Sequence, residues 1–140
     1  MRPLCSPSTG LGRFRTTLTT RRVCPMLPLD ARRDCDMLLE LAEHELAYGD
    51  PDEAAERAWS AGMSALRAYC AEHDWPSATR HDLFRALRRL DEESADDFHL
   101  MFTAVEQLQN RYFEYLREMP QVLCSIGDVR RFIDKLDALP

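Results

Sequence analysis

Residues 42–68 read AEHELAYGDPDEAAERAWSAGMSALRA, and this stretch decides the fold. Leu46 completes an apolar stripe that runs through Cys35, Leu38, Leu39 and Ala42 at the spacing of one helix face. Gly49 supplies the left-handed residue that ends such a helix, so a first helix is predicted from about Ala31 to Tyr48, with Asp30 as its N-cap. At Gly49, Asp50 and Pro51 the chain stops and restarts. Asp50 caps the next helix, Pro51 suits its first position, and Asp52 and Glu53 sit favourably at its positive end. So short a corner makes the two helices antiparallel neighbours. The second helix, about Pro51 to His73, carries two apolar lines: Ala55, Trp59, Gly62, Leu66 and Tyr69, and Ala54, Ala58, Ala61, Ala65 and Ala68. Small residues let neighbours approach closely, and so wide an apolar arc marks the central helix.

Outward from that centre the pattern stays helical. Thr79 with Asp82 three residues on forms a capping-box pattern. It opens a third helix with Leu83, Phe84, Leu87 and Leu90 inward and Arg85, Arg88 and Arg89 on a solvated face. Ser94 reads as the cap of a fourth helix, about Ala95 to Glu118, striped by Phe98, Met101, Phe102, Val105, Leu108, Tyr112 and Leu116. Met119 and Pro120 break it. Ser125 with Asp128 then opens a short fifth helix that turns Val129, Phe132, Ile133 and Leu136 inward. No strand-like alternation occurs. The expected architecture is all-α: an up-and-down four-helix bundle across residues 30–140, with a short extra helix at its C-terminal end.

Composition sets the outer limits. A chain of 140 residues, 45% of them apolar, holds one domain with one core. No apolar run approaches the ~20 residues of a membrane-spanning helix. Cys5, Cys24, Cys35, Cys70 and Cys124 are odd in number and contain no CxxC pair, which argues against a disulfide framework or structural zinc and suits a reducing cytoplasm. Residues 1–29 carry five arginines (Arg2, Arg13, Arg15, Arg21, Arg22) and no acid, while the remaining 111 residues balance 13 basic against 24 acidic side chains. The acidic body is a poor nonspecific binder of nucleic acid. The basic segment reads as disordered. It also has the makeup of a transit peptide, or of sequence ahead of a true start at Met26, or of an arm that touches RNA.

In order along the chain stand Gly49-Asp50, then Glu56-Arg57-Ala58-Trp59-Ser60-Ala61, then Thr79-Arg80-His81, then Ala104-Val105-Glu106-Gln107-Leu108-Gln109-Asn110-Arg111-Tyr112-Phe113-Glu114. In this series, over roughly Asp30 to Glu118, the chain resembles the HEPN superfamily, and within it the PaREP branch of small helical proteins. That branch has Glu-Lys-x-Trp-x-Ala on the second helix and a histidine and an asparagine in the fourth-helix motif. Here Arg57 replaces the lysine, Gln109 stands at the histidine and Arg111 at the asparagine. Active HEPN ribonucleases carry Arg-x(4–6)-His, where histidine moves protons and arginine stabilises a phosphate. The fourth helix has no such pair. The one match, Arg67 and His73, lies on the second helix with side chains about 120° apart.

The residues themselves offer one polar cluster. Glu56, at the edge of a buried face, needs a partner, and Arg111 is the best placed, with His81 next. Arg57 and Glu114 belong to the same candidate set. Its bland role is to fix helix register. Cys70 with His73, and Asp96 with His99, each put two ligand types one turn apart, but a di-iron bundle needs paired Glu-x-x-His helices, so no metal site is expected. Glycine-rich phosphate loops, GxSxG and HExxH are absent. The resemblance implies a cytoplasmic, homodimeric interaction module. It would bind a partner protein or nucleotide-related ligand, with no catalysis and no cofactor. The alternative it implies is a metal-independent ribonuclease toxin held by a nucleotidyltransferase-like antitoxin, and a purely structural subunit is a third reading.

Overall fold

The computed structural model describes residues 27–109 and 118–139. They form five helices: α1 (Leu29–Ala47), α2 (Pro51–Glu72), α3 (Arg80–Glu93), α4 (Phe98–Gln107) and α5 (Met119–Asp137). No strand occurs among the described residues.

The corner between α1 and α2 is built as its residue types dictate. Gly49 takes φ +85°, a conformation open to glycine at little steric cost. The amides of Gly49 and Asp50 donate back to the carbonyls of Leu46 and Glu45, which ends α1. The Asp50 carboxylate accepts from the Glu53 amide at 3.0 Å and starts α2. Thr79 and Asp82 complete the reciprocal capping box of α3, and the Thr79 amide, donating to the Asp82 carboxylate, holds that carboxyl below its ordinary pKa.

Several boundaries depart from the expected ones. α1 begins at Leu29 with Pro28 at the cap position, and Asp30 lies within the first turn. The body therefore reaches back to Leu27, which is 1% exposed and whose amide donates to Asp137. Arg32 reinforces that junction by pairing with Asp36, Asp134 and Asp137, which ties the start of α1 to the end of α5. The fourth helix starts at Phe98 under Asp97 and not after Ser94. Ser94 ends α3 instead, its hydroxyl donating to the Leu90 carbonyl at 2.8 Å. Asp91 reaches across from α3 and accepts from the amides of Phe98 at 2.6 Å and His99 at 3.3 Å. Two carboxylates thus outbid a hydroxyl for the first amides of α4. The fifth helix is no short appendage. It runs 19 residues from Met119, with Pro120 in its first turn, where a missing N–H costs nothing. Val122 and Ile126 extend its buried face. Tyr112 and Leu116 of the expected fourth-helix stripe lie outside the described residues.

α2 packs against each of the other four helices. Its buried face is small over most of its length, at Ala54, Ala55, Ala58, Ala61, Gly62 and Ala65, with Leu66, Tyr69 and Cys70 buried toward its end, and much of the bulk comes from the surroundings, including Leu39, Leu87, Phe98, Phe102, Phe132 and Ile133. The closest approach is at Gly62, where an added Cβ would lie 2.7 and 2.9 Å from the two methyls of Val105 on α4. Valine is stiff at χ1 and cannot turn away. Gly62→Ala should therefore destabilise the protein by about 1–2 kcal/mol, the clash exceeding the helix propensity gained. Paired with Val105→Ala it should cost less than the sum of the two single changes, by about 1 kcal/mol, read as a double-mutant cycle of urea unfolding curves.

Candidate functional site

The close packing of α2 leaves its larger side chains at the edges of the small-residue face, and there a cleft opens between α2, α3 and α4. Its volume is about 120 Å³, and Trp59, Met63, Arg67, Arg80, Leu83, Phe84, Phe102, Glu106 and Gln109 line it. Three helices converge there because Thr79 starts α3 beside the end of α4: Arg80, the first residue of α3, reaches Glu106 near the end of α4 at 2.7 Å. The Arg80 guanidinium also lies 4.9 Å from the centre of the Phe84 ring. Arg67 lines the opposite wall. The cleft thus combines aromatic and thioether surface, one arginine clasped by a carboxylate, a second arginine, and the amide of Gln109. A volume this far below the ~300–1,000 Å³ of small-molecule pockets holds one ring or one side chain, and the rest of any ligand would lie across the rim.

A second hollow, about 180 Å³, lies between the α2–α3 connection and α3, lined by Asp74, Trp75, Pro76, Asp82, Arg85, Ala86 and Arg89. Its groups are largely committed. Arg89 stacks 4.5 Å over Trp75 and pairs with Glu93, and Asp82 serves the α3 cap. Asp74 makes the connection with φ 55°. This hollow reads as the by-product of a tight helix connection.

The candidate residues separate. Arg67 sits in the cleft. His73 instead caps the end of α2, its Nδ1 3.0 Å from the Tyr69 carbonyl and its ring stacked on Tyr69 at 4.2 Å, with Trp75 at 5.3 Å. Glu56 and Arg57 are half-buried on α2. Arg57 reaches Glu53 at 3.3 Å, and its Nε is buried without a hydrogen-bond partner. His81 is exposed beside Arg80. Arg111 and Glu114, the proposed partners of that set, lie outside the described residues. Asp96 pairs with Lys135 at 3.4 Å, and no group of three metal-ligating side chains occurs among the described residues. Arg80 and Glu106 were the missed pair. Both stand within quoted motifs, but 26 residues separate them and no local spacing joins them.

Buried thiols complete the inventory. Burial, with the charge of Asp36, pushes Cys35 up to about 11, and burial, with Asp82, does the same for Cys70. Cys35 donates to the Ala61 carbonyl at 3.5 Å. Burial keeps both thiols protonated at neutral pH, which makes them poor nucleophiles.

The fold and cleft define a class: a small protein, α-helical with no strand among its described residues, whose polar and aromatic side chains meet where three helices converge. The family comparison narrows this, because the model of the archaeal PaREP1/PaREP8 family matches residues 31–119. The chain belongs to that family. Searches of the curated proteins and of the solved structures returned no match. The matched span ends where α5 begins, yet α5 packs against α1, α2 and α4.

Native protein treated with iodoacetamide at pH 7.5 should be alkylated at exposed Cys124 at least tenfold faster than at Cys35 or Cys70. Peptide mapping by mass spectrometry checks this, and denaturant should remove the difference.

Proposed function

We propose that the chain is a non-catalytic, HEPN-like interaction module, cytoplasmic and homodimeric, that uses the α2–α3–α4 cleft to hold a side chain of a partner protein or the ring of a nucleotide-related ligand. One observation carries this reading: among the described residues the cleft lining contains aromatic faces and two arginines but no histidine or cysteine, and the one carboxylate among them is engaged by Arg80. Such a lining suits recognition. Trp59 and Phe84 offer surface for a planar group, and Arg67 offers donors to an anion. Proton transfer calls for a general acid or base such as histidine, and the described lining holds none. His73, the histidine of the one Arg-x(5)-His match, is held in the Tyr69–Trp75 corner while Arg67 faces the cleft.

The test uses the full chain. Incubated with total RNA in EDTA, wild-type protein should leave the RNA intact. Titration with adenosine monophosphate as a probe should quench the fluorescence of Trp59, and Arg67→Ala should weaken that response about tenfold, the loss of one charge-assisted contact. Cleavage abolished by His73→Ala or Arg111→Ala would replace this reading with that of a metal-independent ribonuclease toxin. Intact RNA and an unchanged tryptophan signal would move the search to a protein ligand.

A further inference from the structure

α1 is apolar on two opposite sides. Its inner side carries Cys35, Leu39, Ala42 and Leu46, all buried. Its outer side carries Met37, Leu41 and Tyr48, which are 54%, 42% and 78% exposed. Exposed His44 stands between the last two, its ring meeting Tyr48 edge-on at 4.8 Å. Positions 37, 41, 44 and 48 advance by steps of four, three and four, the spacing of a coiled-coil seam. At about 100° per residue they centre nearly opposite the buried stripe. No described helix packs on that side.

We propose that this outer seam receives a second copy of the chain, with α1 lying antiparallel on the partner's α1 about a two-fold axis. The inference rests on the homodimeric part of the function proposed above and adds the surface that forms the dimer. Charge selects the occupant and the register. Arg33 and Glu40 lie two turns apart on one flank of the seam, and both are exposed. When Met37 faces the partner's Leu41, the two-fold sets Arg33 against the partner's Glu40, and Glu40 against the partner's Arg33. Asp34 then comes opposite the partner's His44. Sliding the pair so that Met37 faces the partner's Tyr48 would set Glu40 against the partner's Glu40, and like charges oppose that register. The seam is therefore self-complementary in one register, as an isologous interface requires.

So short a seam falls at the small end of specific interfaces, so the dimer should dissociate on dilution. Sedimentation velocity on the full chain should show dimer near about 100 µM and monomer near about 1 µM. Leu41→Glu should abolish the dimer while circular dichroism stays unchanged, and Leu100→Glu, at a more exposed leucine on α4, should leave it intact. Arg33→Glu and Glu40→Arg should each weaken association at least fivefold, and the two together should restore it. A wild-type dimer insensitive to Leu41→Glu would overturn the seam and leave the homodimeric reading standing. Failure of the double exchange to restore association would overturn the antiparallel register. A wild-type monomer at about 100 µM would overturn both the seam and the homodimeric reading.

Discussion

The contact between Gly62 and Val105 sets the terms for the rest of the molecule. A helix that touches four others has little room for large side chains of its own, and α2 answers with alanine and glycine along its buried arc. The core is consequently asymmetric. Backbone and methyl groups fill its middle, while rings and branched chains from α1, α3, α4 and α5 fill its periphery. Close packing of this kind gains dispersion contacts at the cost of tolerance, since a single methylene at the crossing has nowhere to go. It also decides where a site can form. Trp59 and Met63 lie on the flank of α2, and the cleft opens where that flank meets α3 and α4.

Local backbone chemistry was the legible part of the fold. Gly49, Asp50 and Pro51 have little choice of conformation, and Thr79 with Asp82 satisfies two amides at once, so those boundaries could be read from residue type alone. The segment from Ser94 to Ser125 resisted for an equally physical reason. Serine and aspartate are both acceptable caps, and the choice between Ser94 and Asp97 turns on Asp91, whose role depends on tertiary placement. A proline ends one helix and begins another with the same ring, so Pro120 alone cannot say which. The buried period of α5 extends through Val122 and Ile126, and that longer run marks the true start better than the capping pattern at Ser125. The site was legible in parts only. Arg67 stands out as a cation on a small-residue helix. The clasp of Arg80 and Glu106 exists only because the α3 start and the α4 end come together.

Two kinds of arginine contact recur in the structure and do different work. Arg32 gathers Asp36, Asp134 and Asp137 where the first and last helices meet. Burial alone would lower its pKa, but hydrogen bonds and charge from Asp134 and Asp36 raise it. An arginine so surrounded is a joint, and its charge is spent inside the fold. Arg80 is engaged in the same way by Glu106 but stays mostly exposed, 73% by side chain, so its pairing is open to exchange with an incoming anion.

The charge of the body argues for selectivity at that point. Residues 30–140 carry an excess of acids, and their field opposes any extended polyanion over a distance of about 8–10 Å at physiological salt. A long nucleic acid backbone would meet that repulsion along its whole length, whereas a compact group meets the arginines alone. On the function proposed above, the cleft would favour a ligand whose negative charge is confined to one end and whose remainder is planar or apolar. The same reasoning separates the two surfaces of the protein. On the cleft, cations and rings are suited to a small charged group. On the outer side of α1, Met37, Leu41 and Tyr48 present apolar surface of the kind that packs on another helix. On the two proposals above, the ligand and the second copy would use different residues.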